Sequence, residues 1–146
     1  MELKINLKIS PALKRLRENL EAAIEAGLLR AAGAVEAKAA EEAPKVSGNL
    51  ADSIRKYIQN RRAVITPVAR YALYVHQGTG IYGPHKKRIV PTTKKALAFQ
   101  IGGKWIYRRS VKGQKPNPFM KRAFDEVRPR LKEIFNRAIS DFISRA

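Results

Sequence analysis

Leu3, Ile5, Leu7 and Ile9 alternate with Glu2, Lys4, Asn6 and Lys8, the period-2 pattern of a strand with one buried face. The period changes at Ser10 and Pro11, a hydroxyl cap followed by a ring whose missing N–H is not needed in the first turn of a helix. From there Leu13, Leu16, Leu20, Ile24, Leu28, Ala31 and Val35 keep three- and four-residue spacing, which predicts one helix running to about Glu42, where Ala43 and Pro44 stop it. At about 1.5 Å per residue this helix is roughly 50 Å long, more than the core of one small globule needs to cover. Part of it is therefore expected to pack on another subunit. Its second half is rich in alanine (Ala31, Ala32, Ala34, Ala37, Ala39, Ala40), so its backbone can be approached closely.

After the loop KVSGN, the spacing of Leu50, Ile54 and Ile58 predicts a short amphipathic helix, and a strand is expected at 62–67. KALAFQI and KWIYRRSV flank Gly102 and Gly103, a pair suited to the positive-φ positions of a tight hairpin. This predicts a hairpin over 95–111 in which Phe99 faces Ile106. Leu97 and Ile101 share that face, expected to be buried, and Trp105, Tyr107 and Arg109 share the other. A last helix starts from Asn117 and Pro118 and carries Phe119, Ala123, Val127, Leu131, Ile134, Phe135, Ile139 and Phe142 as its apolar stripe. Pro129 lies inside it and is expected to kink or split it. The fold class that follows is α+β in one domain over 1–146. An antiparallel sheet (the hairpin at 95–111 plus strands near 2–9 and 62–67) packs against a long N-terminal helix and a C-terminal helix kinked near Pro129.

Charge changes this picture most. Between Asp52 and Asp125 lie 72 residues with 17 Lys or Arg and no acid, nearly the whole net charge of +18. The flanks balance, with 8 basic against 8 acidic residues up to Asp52 and 5 against 4 from Asp125 onward. A field localised in this way attracts polyanions or acidic protein partners. Cysteine is absent, which removes disulfides and thiolate metal sites. The N-terminus lacks the basic-then-apolar order of a signal peptide, and no run approaches the roughly 18 apolar residues of a spanning helix. A soluble protein without a membrane role that is not exported is expected.

Catalysis fares badly. His76 and His85, the only histidines, both lie in the acid-free stretch, so neither has a carboxylate nearby in sequence to orient it. The glycines of GTGIYG match a dinucleotide-binding spacing, but Pro84 and a basic run follow in place of a helix, and no acid occurs about 20 residues later. A tight loop with glycine at positive φ explains them better. No enzyme, cofactor or metal site is expected. The cations Lys86, Lys87, Arg88, Lys94, Lys95, Arg108, Arg109, Lys112 and Lys115 could each neutralise a phosphate or meet an acidic partner. Trp105 and Tyr107 beside them suit base stacking and equally suit a protein interface.

Three segments in order carry a resemblance: APKVSGNLADSI (43–54), YALYVHQGTG (71–80) and SVKGQKPNPFMKRAF (110–124). Together they resemble the tail-component family of long-tailed double-stranded DNA bacteriophages, small neck or tail-completion proteins that join the head connector to the tail. The resemblance implies a structural virion protein of the neck, made in the cytoplasm of a bacterial host, that forms a homo-oligomeric ring of roughly six or twelve subunits. Its partners would be the head connector or stopper and the tail terminator or tube proteins, with double-stranded DNA passing non-specifically through the channel. On the matching positions Tyr71, Tyr74, Val75, Gly78, Thr79 and Gly80 would build a central loop, and His76 within it is expected to share its interface. Pro116, Pro118, Phe119 and Met120 would begin the last helix, and with Trp105 and Tyr107 these form the expected subunit or partner interface. His76 departs from the family pattern, which commonly has an acid there. The alternative is a stand-alone nucleic-acid-binding protein using the basic middle segment.

Overall fold

The computed structural model describes residues 10–45 and 47–145. The strand expected at 2–9 lies outside them. The first element, α1 (Pro11–Glu42), begins where Ser10 Oγ accepts a hydrogen bond from the Leu13 N–H at 3.3 Å. It ends at Ala43, whose extended backbone (φ −64°, ψ 143°) is the conformation that a following proline favours.

The last element, α4 (Phe119–Arg145), runs back along α1. Ion pairs of Glu42 with Arg122 (3.0 Å), Lys38 with Glu126 (3.0 Å) and Arg30 with Asp141 (3.0 Å) mark the antiparallel order. Pro129 sits on the exposed side of α4, which continues through it unbroken. The expected split does not occur, because the carbonyl that loses its N–H partner can be hydrated there. Ala23, Gly27, Ala32, Val35 and Ala39 are the buried residues of α1. The alanine-rich stretch is thus taken up within the chain, and the exposed part is the first third: residues 10–22 are all exposed, with Leu13 at 57 %, Leu16 at 64 % and Leu20 at 54 %.

The expected helix over Leu50, Ile54 and Ile58 is replaced by a single turn, α2 (Asn49–Asp52), and a strand, β1 (Ile54–Gln59). Four-residue spacing keeps side chains on one face of a helix and equally on one face of a strand. Strand β1 pairs antiparallel with β2 (Arg62–Pro67), from Ile54 opposite Pro67 to Gln59 opposite Arg62. Asn60 and Arg61 close the hairpin at φ 51° and 57°, both in the left-handed region that such two-residue turns require. The hairpin lies on α1, tied by Lys56 to Glu36 and by Arg61 to Glu21 (3.2 Å).

Strands β3 (Leu97–Ile101) and β4 (Lys104–Arg108) form the hairpin read from the sequence, with Phe99 opposite Ile106. They do not join β1 and β2: the described residues contain two separate two-stranded sheets in place of the single one expected. Ile101 is consequently 60 % exposed where burial was expected. An apolar cluster of Ala39, Ala43, Leu50, Ile54, Ala72, Phe119 and Ala123 joins α1, α2, β1, the 71–77 segment and α4.

Candidate functional site

The segment 71–89 is built from a short helix and a loop that is stitched to a distant part of the chain. The helix, α3 (Ala72–Gln77), points Ala72 into the core and leaves Tyr71, Leu73 and Tyr74 at 43, 58 and 62 % exposure. Gly78 follows at φ 79° and ends it. A 3-10 turn at Gly80–Tyr82 comes next.

This loop is held by backbone hydrogen bonds to residues 111–117. The Thr79 N–H donates to the Gln114 carbonyl (2.9 Å), the Ile81 N–H to that of Lys112 (2.8 Å) and the Asn117 N–H to that of Val75 (2.9 Å). Thr79 Oγ1 accepts from the Gln114 N–H at 2.9 Å, and Ile89 and Val111 exchange both backbone bonds at 3.0 Å. Such close approach requires glycine. A Cβ on Gly80 would overlap the Lys112 carbonyl, and one on Gly113 (φ 94°) would overlap that of Thr79. The tight loop expected for GTGIYG has positive φ at Gly78 and Gly80, while Gly83 is at φ −85°.

The structure therefore brings Tyr71, Tyr74, Val75, His76, Gly78, Thr79 and Gly80 together with Pro116, Pro118, Phe119 and Met120. Their places differ. Phe119 is fully buried, and Val75 and Met120 pack against the core cluster, so these hold the scaffold. Tyr71 and Tyr74 face outward. Trp105 (60 % exposed) and Tyr107 (63 %) stand on the separate β3–β4 arm. Thr79, expected as a loop residue, fastens the loop through its hydroxyl; Gly113, which it approaches, was not singled out from the sequence, and the glycine in VKGQ was the available signal.

All nine cations from Lys86 to Lys115 that were read as contacts are exposed. Arg88 Nε donates to Ser110 Oγ at 2.9 Å, which fixes one guanidinium against the stitched segment. Lys115 Nζ stands 6.0 Å from the centre of the Tyr82 ring, at the outer reach of a cation–π contact. Tyr74, Thr79, His85, Lys87 and Arg88 help to line an open pocket of about 330 Å³. The pocket thus sets two cations, Lys87 and Arg88, beside the Tyr74 and His85 rings. Among the described residues there is no group of three His, Cys, Asp or Glu side chains that could hold a metal ion, and no helix is long and apolar enough to cross a membrane. Hydrogen bonds first to Glu126 and then to Glu41 raise the Lys38 ammonium above lysine's ordinary value.

Residues 8–78 match the family model described as "Bacteriophage HK97-gp10, putative tail-component". This is the phage tail-component family that the three motifs resemble. The match runs from the start of α1 to the glycine that ends α3 and takes in the first motif and most of the second. The stitched loop, the β3–β4 arm and α4 lie beyond the matched residues. No curated protein and no solved structure matches the chain.

Proposed function

We propose that the chain is a structural neck protein of a tailed phage. In this reading copies of the chain form a ring at the head-to-tail junction, joining the head connector or stopper to the tail terminator or tube and surrounding the channel through which DNA leaves. The observation that carries it is the tail-component family match over 8–78. The apolar side chains left exposed on the β3–β4 arm and on the first third of α1 support it physically, because exposed apolar surface of this kind marks protein–protein contacts.

The location is tested by labelling the chain in virions of the phage that encodes it. Label is expected at the joint between head and tail, and removal of the gene is expected to leave filled heads and separate tails. Label at the distal tip, or joined virions without the gene, would refute the assignment.

Within this reading Lys86, Lys87 and Arg88 meet either DNA phosphates or an acidic connector surface. Charge reversal at all three weakens assembly if they contact protein, but spares assembly and alters DNA retention if they line the channel. Unchanged assembly together with unchanged retention would exclude both. The exposure of all nine cations favours, as a second reading, a stand-alone nucleic-acid binder. Its affinity for duplex DNA would fall steeply with salt and would not require other phage proteins.

A further inference from the structure

The β3–β4 arm has the composition of an interface and little of its own chain to cover it. Its two strands pack mainly on each other, and an isolated two-stranded hairpin is marginally stable in water. Yet it exposes Ile101 at 60 %, Trp105 at 60 % and Tyr107 at 63 %. The arm and its flanks, residues 94–115, carry seven Lys or Arg and no acid. A partner should therefore offer an apolar recess rimmed by carboxylates.

The chain contains such a recess at its other end. Glu21, Ile24, Glu25, Leu28, Ile58 and Arg61 line a pocket of about 240 Å³ between α1 and the β1–β2 hairpin. Residues 18–29 of α1 include three Glu and no Lys or Arg. Glu36, Glu41 and Glu42 further along the helix are paired with Lys56, Lys38 and Arg122. Glu18 and Glu25, in contrast, have no ion-pair partner among the described residues. The floor is apolar, the rim carries Glu25 beside the Glu21–Arg61 ion pair, Glu18 lies one turn before Glu21 on α1, and the exposed Leu16 and Leu20 continue the apolar surface along the helix.

We propose that the β3–β4 arm of one copy docks on this pocket of the next copy, with Trp105 seated over Ile24, Leu28 and Ile58. Lys104 and Arg109 then lie within reach of Glu18 and Glu25, and the indole N–H has a carboxylate to donate to. The two patches are different surfaces, so the contact is head-to-tail, the kind that closes into a ring when the rotation per subunit permits. This inference rests on the ring reading and names the surfaces that would build it.

Charge exchange tests it. One variant carries Lys104→Glu and Arg109→Glu on the arm, and the other Glu18→Lys and Glu25→Lys on the helix. Glu21 is kept because it holds Arg61. Light scattering on nuclease-treated protein is expected to give an oligomer for the wild type, monomers for each variant alone, and the wild-type mass for their equimolar mixture, in which every arm again meets a helix of opposite charge. Trp105 is the only tryptophan, so its emission is expected to shift to the blue in the oligomer and to the red in each isolated variant.

A monomeric wild type, a variant that keeps the wild-type mass, a mixture that stays monomeric, or an oligomer with the emission of exposed indole would each overturn the docking. An arm variant that keeps its mass but loses binding to duplex DNA would also overturn it and assign the arm to DNA. None of these results depends on where the label lies in the virion, so the docking and the neck assignment fail separately.

Discussion

Gly80→Ala is expected to open the stitched loop while leaving the rest of the chain folded. Gly80 is at φ 63°, and a Cβ there would overlap the Lys112 carbonyl. That obstacle is backbone and cannot rotate aside as a side chain could. Left-handed backbone costs an alanine about 1–2 kcal/mol. Relieving the overlap would also break the bonds from Ile81 to Lys112 and from Thr79 to Gln114, at about 1 kcal/mol each. The sum of about 3 kcal/mol corresponds to roughly a hundredfold loss of protection against amide hydrogen exchange. The assay is exchange of the Thr79 and Ile81 amides followed by NMR. Gly102→Ala provides the control within the same chain: Gly102 is also at positive φ (56°) but has nothing within 4 Å of the added Cβ. It carries the strain without the overlap and should leave the Thr79 and Ile81 amides unchanged. If Gly80→Ala protects those amides as well as the wild type does, the close backbone approach is not what holds the loop.

Phe119→Ala empties a fully buried site at the centre of the core cluster. It should cost about 3–5 kcal/mol and lower Tm by roughly 10 °C; a fall under about 3 °C would mean that the cluster does not limit stability. Pro129→Ala restores a backbone donor in the interior of α4 and should stabilise the chain by about 1–3 kcal/mol, visible as a higher urea midpoint. A lower midpoint would show that the proline is needed to lay α4 along α1. The raised pKa of Lys38 means that its contribution is fully present below lysine's unfolded value of 10.5 and is lost as pH rises through the higher folded value. Unfolding midpoints of wild type and Lys38→Met should therefore differ by a constant amount near neutrality and converge only at strongly alkaline pH; convergence below pH 9, which is about 1.5 units under that value, would contradict the assignment.

The helix boundaries were legible because they are written in local chemistry: Ser10 and Pro11 at one end of α1, Ala43 and Pro44 at the other. The β3–β4 pairing was legible because Gly102 and Gly103 permit essentially one tight turn. Ile54 and Ile58 were misplaced because a spacing of four satisfies both periods, and the decisive turn uses Arg61, a residue with no preference for left-handed backbone. The stitching of Thr79, Ile81 and Asn117 to Gln114, Lys112 and Val75 could not be seen in the sequence. It consists of backbone hydrogen bonds, which every residue but proline can donate, between positions roughly thirty to forty apart. The motif residues were recognisable as a group, but only the structure separates those that hold the scaffold, such as Phe119, from those left on the surface, such as Tyr74.

The seam between the two long helices is uneven in a way that sets how each can change. On the α1 side its buried positions are four small residues and one valine, and the Phe135 ring lies 2.7 Å from where a Cβ on Gly27 would stand, with Ile139 3.3 Å away. Around Gly27 the bulk that fills the seam comes from α4, whereas elsewhere on α4 the buried positions Ala123 and Ala138 are themselves small. At the Gly27 crossing the damaging substitution on α1 is thus an enlargement, with Gly27→Val worse than Gly27→Ala, and on α4 it is a truncation of Phe135 or Ile139. Sequence drift at this crossing should run in opposite directions on its two sides: Gly27 has no room to grow, and it offers no side chain that could make up for a ring that shrinks.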